Sequence, residues 1–470
     1  MMRINGQQQT ALLPITFMER LRSKNLMRGQ ATIMAFATLL FLVLMTLATY
    51  NISQMTHGKM QTMNAADAGA YAAAIVAARD ANFMAYTNRA MVANHVVVGQ
   101  LVSLASLSMM LKDMADTIGT ILRILRLIPY VGPILGAIGD ALKKVADALE
   151  KVPEVLDYVV VGENMIISGL SKMQPLVRGI TLLDMQKNVE AVIKANDPEL
   201  QWAATDGVGG LATTAKNVQA FLNHSERQKS DAALGDFRDV VRESRDGFTR
   251  DRPWGFSDWF GSGTVFNGGT DLSSDNKTWV GLDAFKITYP YWSRGRLRYR
   301  TVYPFYGGEV AGSEGADDYR SLKYGQIGRG RDPAYNSRDK TFASSYDGLQ
   351  PYQELNNLKQ EEAASDPFVI MVYKPIDNDG TPNANKTFQT GGGADNFYRL
   401  EEKRKNLYGV AASQVYFRRP ALIDNDKTAG KLPNEIYRNG TYATLFSPYW
   451  QARLTNLPAE MAGILTAVDK

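Results

Sequence analysis

Residues Ala31–Tyr50 read ATIMAFATLLFLVLMTLATY, a run with no charged side chain. Coiled as an α-helix at about 1.5 Å per residue, it is about 30 Å long, the depth of a bilayer's hydrocarbon core. Upstream, Arg3, Arg20, Arg22, Lys24 and Arg28 face one acid, Glu19. Basic flanks stay on the cytoplasmic side of a spanning helix. Residues 1–30 are therefore expected as a basic cytoplasmic leader and 31–50 as a single-pass transmembrane anchor, with the bulk of the chain on the far side of the membrane. A cleaved secretory signal competes with this reading, but the run is long for one and Leu47-Ala48-Thr49-Tyr50 lacks an A-x-A site.

Downstream, no proline occurs from Ile15 to Ile128, although the chain holds 18. Proline is the strongest helix breaker, so helix is the expected state of this stretch. Within it Ala65, Gly69, Ala73 and Ala77 stand four apart, as do Ala66, Ala70, Ala74 and Ala78. On a helix these form two adjacent smooth ribs, a seam where a second helix can approach closely. An alanine-rich helix of good propensity is the plainer alternative.

These residues resemble a family. Arg28-Gly29-Gln30, the apolar helix, and Gln54–Gln61 leading into Asn64-Ala65-Ala66-Asp67-Ala68 are similar to the N-terminal module of the TadE/TadG-like Flp (tight adherence) pilus-assembly proteins. Asn82–His95 (NFMAYTNRAMVANH), Gln414–Pro420 (QVYFRRP) and Leu445–Leu454 (LFSPYWQARL) resemble segments of longer members. The resemblance implies a pilin-like protein of the bacterial inner membrane, N-terminus cytoplasmic and bulk periplasmic or extracellular. It implies other pilus or secretion subunits as partners, further copies of the chain among them. It also implies a prepilin peptidase acting at the Gly29–Gln30 bond, with Asn64 and Asp67 as family-motif positions. Pilins usually carry a glutamate five residues past the cut, and here that position is Met34. An unprocessed, membrane-resident assembly component is the reading that fits the substitution.

Leu101–Val152 is again helix-patterned, with Leu111, Met114, Ala115, Ile118, Leu122 and Leu125 recurring at three and four. Inside it Leu127–Ile138 (LIPYVGPILGAI) is uncharged, too short to span a bilayer, and flanked by Arg123, Arg126, Lys143 and Lys144. Two readings stand: a tip that dips into an anionic membrane surface, or a helical hairpin whose turn is buried against the body. Helical patterning continues from Val155 to Arg245, with breaks expected at Pro175, Pro198 and Gly207–Gly210. Near Gly247 aromatic residues and glycine become dense. Ala284–Trp292 and Leu297–Tyr303 read as a hairpin around Ser293–Arg296, and Phe368–Tyr373 and Gly409–Phe417 as strands. Gly307–Ser345 and Asp377–Asp395 read as long connections. The expected fold is α+β: the anchor continues into a helical domain over 51–246, followed by a loop-rich, aromatic-rich domain over 247–470 with a mainly antiparallel sheet.

The chain has no cysteine, and His57, His95 and His224 are scattered. Thiol chemistry and Cys-ligated metals are thus excluded, and a His-built metal site is not expected. A net charge of +4 over 470 residues lacks the dense basic face of a nucleic-acid binder. Near-motifs fail on their chemistry. Asp271-Leu272-Ser273-Ser274-Asp275 lacks the second serine of an adhesion-type cation site and reads as a turn. Asp377-Asn378-Asp379-Gly380 has Pro375 where a calcium loop's first ligand belongs, and Gly430-Lys431 lacks a P-loop's upstream glycine. Glu361-Glu362 and Glu401-Glu402 are sequence neighbours and cannot share a helix face. We therefore expect a non-enzymatic component with no cofactor, working through helix packing and an exported domain. The rival is a surface adhesin or glycan-binding protein that uses aromatics such as Trp254, Trp259, Trp279 and Trp292.

Overall fold

A computed structural model of the chain describes residues 17–204, 207–257, 263–312, 334, 336, 342–356, 364–375, 406–418, 443–459 and 461. The proline-free stretch is one helix. α1 runs Phe17–Ile124, 108 residues, or about 160 Å of continuous helix, and stops short of Pro129. A tight turn, with Tyr130 at φ 67°, leads into α2 (Gly132–Glu150) and α3 (Val152–Asn196). Together these return antiparallel along α1. Gly119 lies against Gly139, Lys143 pairs with Asp116, Lys112 with Glu150, Gln174 with Thr87, Arg178 with Asp80, and Ile193 covers Gly69. As one residue number falls the other rises almost one for one, so the helices stay in register from the turn back to Gly69.

Pro175 does not break the helix; it sits inside α3. A proline there leaves the carbonyl four residues earlier without its N–H partner. That carbonyl is Ser171, and the Arg227 guanidinium donates to it at 2.9 Å. Gly207 likewise opens a helix, α4 (Gly207–His224), rather than ending one. Two short strands interrupt the expected helical zone, β1 (Gln201–Trp202) and β2 (Ser225–Gln228), because strands from the C-terminal half recruit them by backbone pairing. α5 (Asp231–Glu243) and α6 (Gly247–Arg250) follow, capped by the Ser230 and Asp246 side chains, which accept from Ala233 and Thr249 amides.

Among the described residues three antiparallel sheets lie along α1. β3 (Trp254–Ser257), β4 (Gly263–Leu272), β5 (Trp279–Ser293) and β6 (Arg296–Ala311) form one in sequence order. β7 (Tyr352–Leu355) pairs with β2. β1, β8 (Phe368–Pro375), β9 (Asn406–Phe417) and β10 (Trp450–Thr455) form the third, in that order. The expected strands are present. The hairpin is longer than its sequence signal, and Gly307–Ala311 belongs to β6 rather than to a connection. Arg294 and Gly295, both at positive φ (51° and 72°), make the two-residue turn between β5 and β6. Of the Asp271–Asp275 segment, Asp271 and Leu272 end β4 and Ser273–Asp275 open the turn after it, in which the Asp275 carboxylate accepts from the Lys277 and Thr278 amides.

Residues from both sides of Gly247 share the same core. One cluster joins the alanine ribs to Met185, Val189 and Ile193 of α3 and to Phe368, Ile370, Val415 and Trp450 of the third sheet. Another joins Met91, Val98 and Val102 of α1 to Ile167, Phe237, Leu272 and Trp279. α1 is thus the spine on which both halves are laid.

Candidate functional site

Residues 31–46 of α1 are exposed without exception. Phe36 is 71% exposed, and Ile33, Met34, Leu39, Leu40, Phe41 and Leu42 are exposed alongside it. Only 6% of the most apolar window is buried, where the core helix of a soluble protein would be mostly covered. Among the described residues this is the one helix long and apolar enough to cross a membrane. Its hydroxyls are satisfied internally, as hydrocarbon demands: Thr38 donates to the Met34 carbonyl at 2.9 Å, Thr46 to Leu42 at 2.8 Å, and Thr49 to Met45 at 2.8 Å. Gly29 and Gln30 lie within α1, ahead of this exposed run.

Burial begins beyond the anchor. Ala65, Ala66, Gly69, Ala70, Ala73, Ala74, Ala77 and Ala78 are all buried. A Cβ on Gly69 would meet Ile193 of α3 at 3.2 Å and Ile370 of β8 at 3.3 Å. The Ala70 carbonyl accepts from the Ser413 hydroxyl of β9 at 2.5 Å. The ribs are therefore covered by the chain's own helix and sheet. Of the motif positions, Asn64 is exposed and Asp67 half-buried.

Residues 29–79 match the family model for Flp pilus-assembly TadE/G-like proteins. The matched stretch holds both the exposed apolar run and the covered ribs, so the resemblance read from Gly29 to Asp67 is present in the chain. No curated protein and no solved structure matches it. The TadE/G-like segment is thus the part of α1 that leaves the apolar run and enters the body.

Two segments beyond the matched stretch, Asn82–His95 and Leu445–Leu454, come together in space. The Asn82 amide pairs with the Trp450 backbone in both directions, donating to its carbonyl at 3.0 Å and accepting from its amide at 3.1 Å. Asn88 is fully buried, and its amide donates to the Gln353 carbonyl at 2.8 Å and the Leu445 carbonyl at 2.9 Å. The Asn88 side-chain oxygen accepts from Gln174 at 2.7 Å, and Gln174 in turn accepts from the Gln353 amide at 3.0 Å. This network ties α1, α3, β7 and the segment before β10 in one register. From sequence these polar residues carry no sign of that role, because their partners lie hundreds of positions away.

The buried titratable groups serve the same joints. His95 bonds the Tyr346 hydroxyl at 2.8 Å, and complete burial lowers its pKa to about 3, which keeps it neutral. His224 is lowered to about 4 by burial and by the nearby Arg178 charge. Asp80 faces Arg178 at 3.4 Å, yet desolvation outweighs that charge and raises its pKa to about 6. Glu354 is raised to about 6 by burial, although it accepts from the Leu445 amide at 2.7 Å and the Leu355 amide at 3.0 Å. Arg252 and Asp283 form a buried bidentate pair, both contacts 2.9 Å, between the segment after α6 and β5. Among the tryptophans proposed for ligand stacking, Trp279 is fully buried on Gly99 and Trp292 is exposed. Trp259, Glu361-Glu362, Asp377–Asp395, Glu401-Glu402 and Gly430-Lys431 lie outside the described residues. The turn between α1 and α2 is not buried against the body: Leu127 is 88% and Tyr130 98% exposed.

Proposed function

We propose that this chain is a non-enzymatic, single-pass component of a Flp/Tad-type pilus-assembly or secretion apparatus, anchored in the bacterial inner membrane with its N-terminus in the cytoplasm. The observation that carries the reading is the continuity of α1: one helix holds the uncovered apolar run at one end and the core of the body at the other, and the family match spans that junction. Such a helix transmits position rigidly, since any change at the membrane end moves the three sheets with it. Basic residues ahead of Ala31 support the orientation.

Met34 lies on the exposed surface of the run, where a filament-forming pilin would present an acid to a neighbour's new amino terminus. An unpaired ammonium buried in an apolar bundle costs several kcal/mol, about 3 or more. The chain therefore works at the membrane or a filament end rather than as a shaft subunit, whether or not the Gly29–Gln30 bond is cut. A reporter active only in the periplasm, fused after Lys470, should be active, and activity solely from a cytoplasmic reporter at that site overturns the orientation. Mass spectrometry of the mature N-terminus decides cleavage. Recovery of the chain in sheared pili at the level of the main pilin would sink the argument from Met34.

A further inference from the structure

Beyond Thr288, where its pairing with β4 ends, the β5–β6 pair continues as a two-stranded ribbon with an unusual charge pattern. From Ala284 to Gly308 there is no acid, and there are five cations: Lys286, Arg294, Arg296, Arg298 and Arg300. The four arginines are exposed, and none forms an ion pair with a described residue. The pairing register sorts the side chains. Tyr289 faces Arg300, Tyr291 faces Arg298 and Ser293 faces Arg296, which places them on one side of the ribbon. Pro290 faces Tyr299 and Trp292 faces Leu297 on the other side, in line with Thr288 and Thr301, whose hydroxyls lie 3.2 Å apart. One face is arginine and tyrosine at a spacing of about 6.6 Å. The opposite face is apolar and uncovered, with Trp292 75% exposed beside the turn.

The ribbon's place on α1 indicates what it meets. Trp279 of β5 lies on Gly99, Gly281 on Val102, Gly307 of β6 on Ser106 and Met110, and the Tyr306 amide donates to Asp113 at 3.2 Å. The strands thus climb α1 away from the anchor, and the free ribbon begins where that contact ends. The α1–α2 turn, with Leu127, Tyr130, Val131 and Ile134 exposed, also lies beyond Asp113. Three of its flanking cations are engaged locally, Arg123 and Arg126 with Asp140 and Lys143 with Asp116. The turn offers apolar area, and the ribbon offers apolar area plus positive charge that no described residue pairs. The ribbon leaves α1 at Asp113, about 95 Å of continuous helix from Tyr50, and the turn lies about 110 Å from it. The membrane that holds the anchor is out of their reach.

We propose that the Tyr289–Arg300 ribbon, aided by the α1–α2 turn, docks on an anionic lipid bilayer other than the one holding the anchor. The arginines meet lipid phosphates, and Trp292, Leu297 and Tyr299 enter the headgroup boundary. A soluble polyanion would engage the arginine face alone and leave the apolar face and the helical turn in water, so the two-faced pattern favours a bilayer.

The test uses the full chain with its anchor in neutral phosphatidylcholine nanodiscs. Capture of added vesicles is measured by flotation, with about 30% phosphatidylglycerol in one set and phosphatidylcholine alone in the other. The chain should capture the anionic vesicles only, and capture should fall with salt. Arg296→Glu with Arg298→Glu and Arg300→Glu should reduce capture by at least about tenfold. Trp292→Ser with Leu297→Ser should also reduce it, with circular dichroism unchanged in both variants. Absent capture, equal capture of neutral vesicles, or capture insensitive to either variant overturns the proposal. Retained heparin binding in Trp292→Ser, together with absent vesicle capture, would reassign the arginine face to a soluble polyanion. The Lys470 reporter reads orientation alone, so failure of this docking and failure of the anchoring reading are told apart.

Discussion

Gly307 sits where β6 crosses α1, and replacing it by alanine tests whether that crossing holds the body together. A Cβ at this position would collide with the Ser106 carbonyl oxygen and the Met110 amide nitrogen and lie 2.9 Å from the Met110 Cβ. These are mainly backbone atoms of a helix packed on its other side by α2 and α3, so they cannot swing away as a side-chain end would. Ordinary carbon–oxygen contact needs about 3.3 Å or more, so strand and helix must separate by about 1 Å along a buried seam. Overpacking of this kind costs about 1–3 kcal/mol, set against about 0.5 kcal/mol gained by stiffening the unfolded chain. We expect Gly307→Ala to destabilise the body by about 2 kcal/mol. Gly162 in α3 is the control, since it is exposed and a Cβ there meets nothing within 4 Å. Gly162→Ala should stabilise by about 0.5–1 kcal/mol through helix propensity. Urea unfolding of the full chain in detergent micelles, followed by circular dichroism with matched m-values, gives both numbers. A Gly307→Ala midpoint equal to that of the unaltered chain would refute the close-crossing argument.

Asn88→Ala should cost about 3–5 kcal/mol, because it strands two buried carbonyls and the Gln174 amide at once; the same urea assay reads it, and a loss below about 1 kcal/mol would show the network to be slack. Gly69→Leu meets Ile193 and Ile370 rather than a partner subunit, so it should expose the body to protease while leaving membrane insertion intact. Pro175→Ala returns an N–H to the Ser171 carbonyl, so Arg227→Met should cost less in that background than in the unaltered chain; additivity in the double-mutant cycle counts against the rescue by Arg227. Glu354 carries a pKa raised by burial from 4.5 to about 6, so its acid form is favoured by folding, and the associated stability is present below pH 4.5 and lost as pH rises to 6. Glu354→Gln does not titrate, so its stability relative to the unaltered chain should climb by about 2 kcal/mol between pH 4.5 and 7, and a flat difference would place the carboxyl in water.

Much of the fold is readable from short stretches of chain. Twenty uncharged residues behind a basic cluster need no tertiary information to be recognised as an apolar helix, and the lack of proline from Ile15 to Ile128 carries that helix to its observed end near Ile124. The β5–β6 hairpin is similarly legible, because β-branched and aromatic residues flank a glycine turn. Local signals fail where a distant partner overrides them. Pro175 marks a break in sequence, and a guanidinium from β2 makes its helix whole. Gly307-Gly308 reads as the start of a loop, yet the missing Cβ is what allows a strand to lie on α1.

Sequence alone determined the apolar run, the length of α1 and the strand-forming segments, because these depend on backbone propensity and hydrophobic runs within a few turns of chain. Tertiary structure alone decided what covers the alanine ribs, how Asn82 and Asn88 meet residues near Trp450, and which faces of the β5–β6 ribbon stay bare. Those outcomes depend on pairing between segments up to 368 positions apart. Small residues and amides permit many such pairings equally well, and only the assembled core selects one of them.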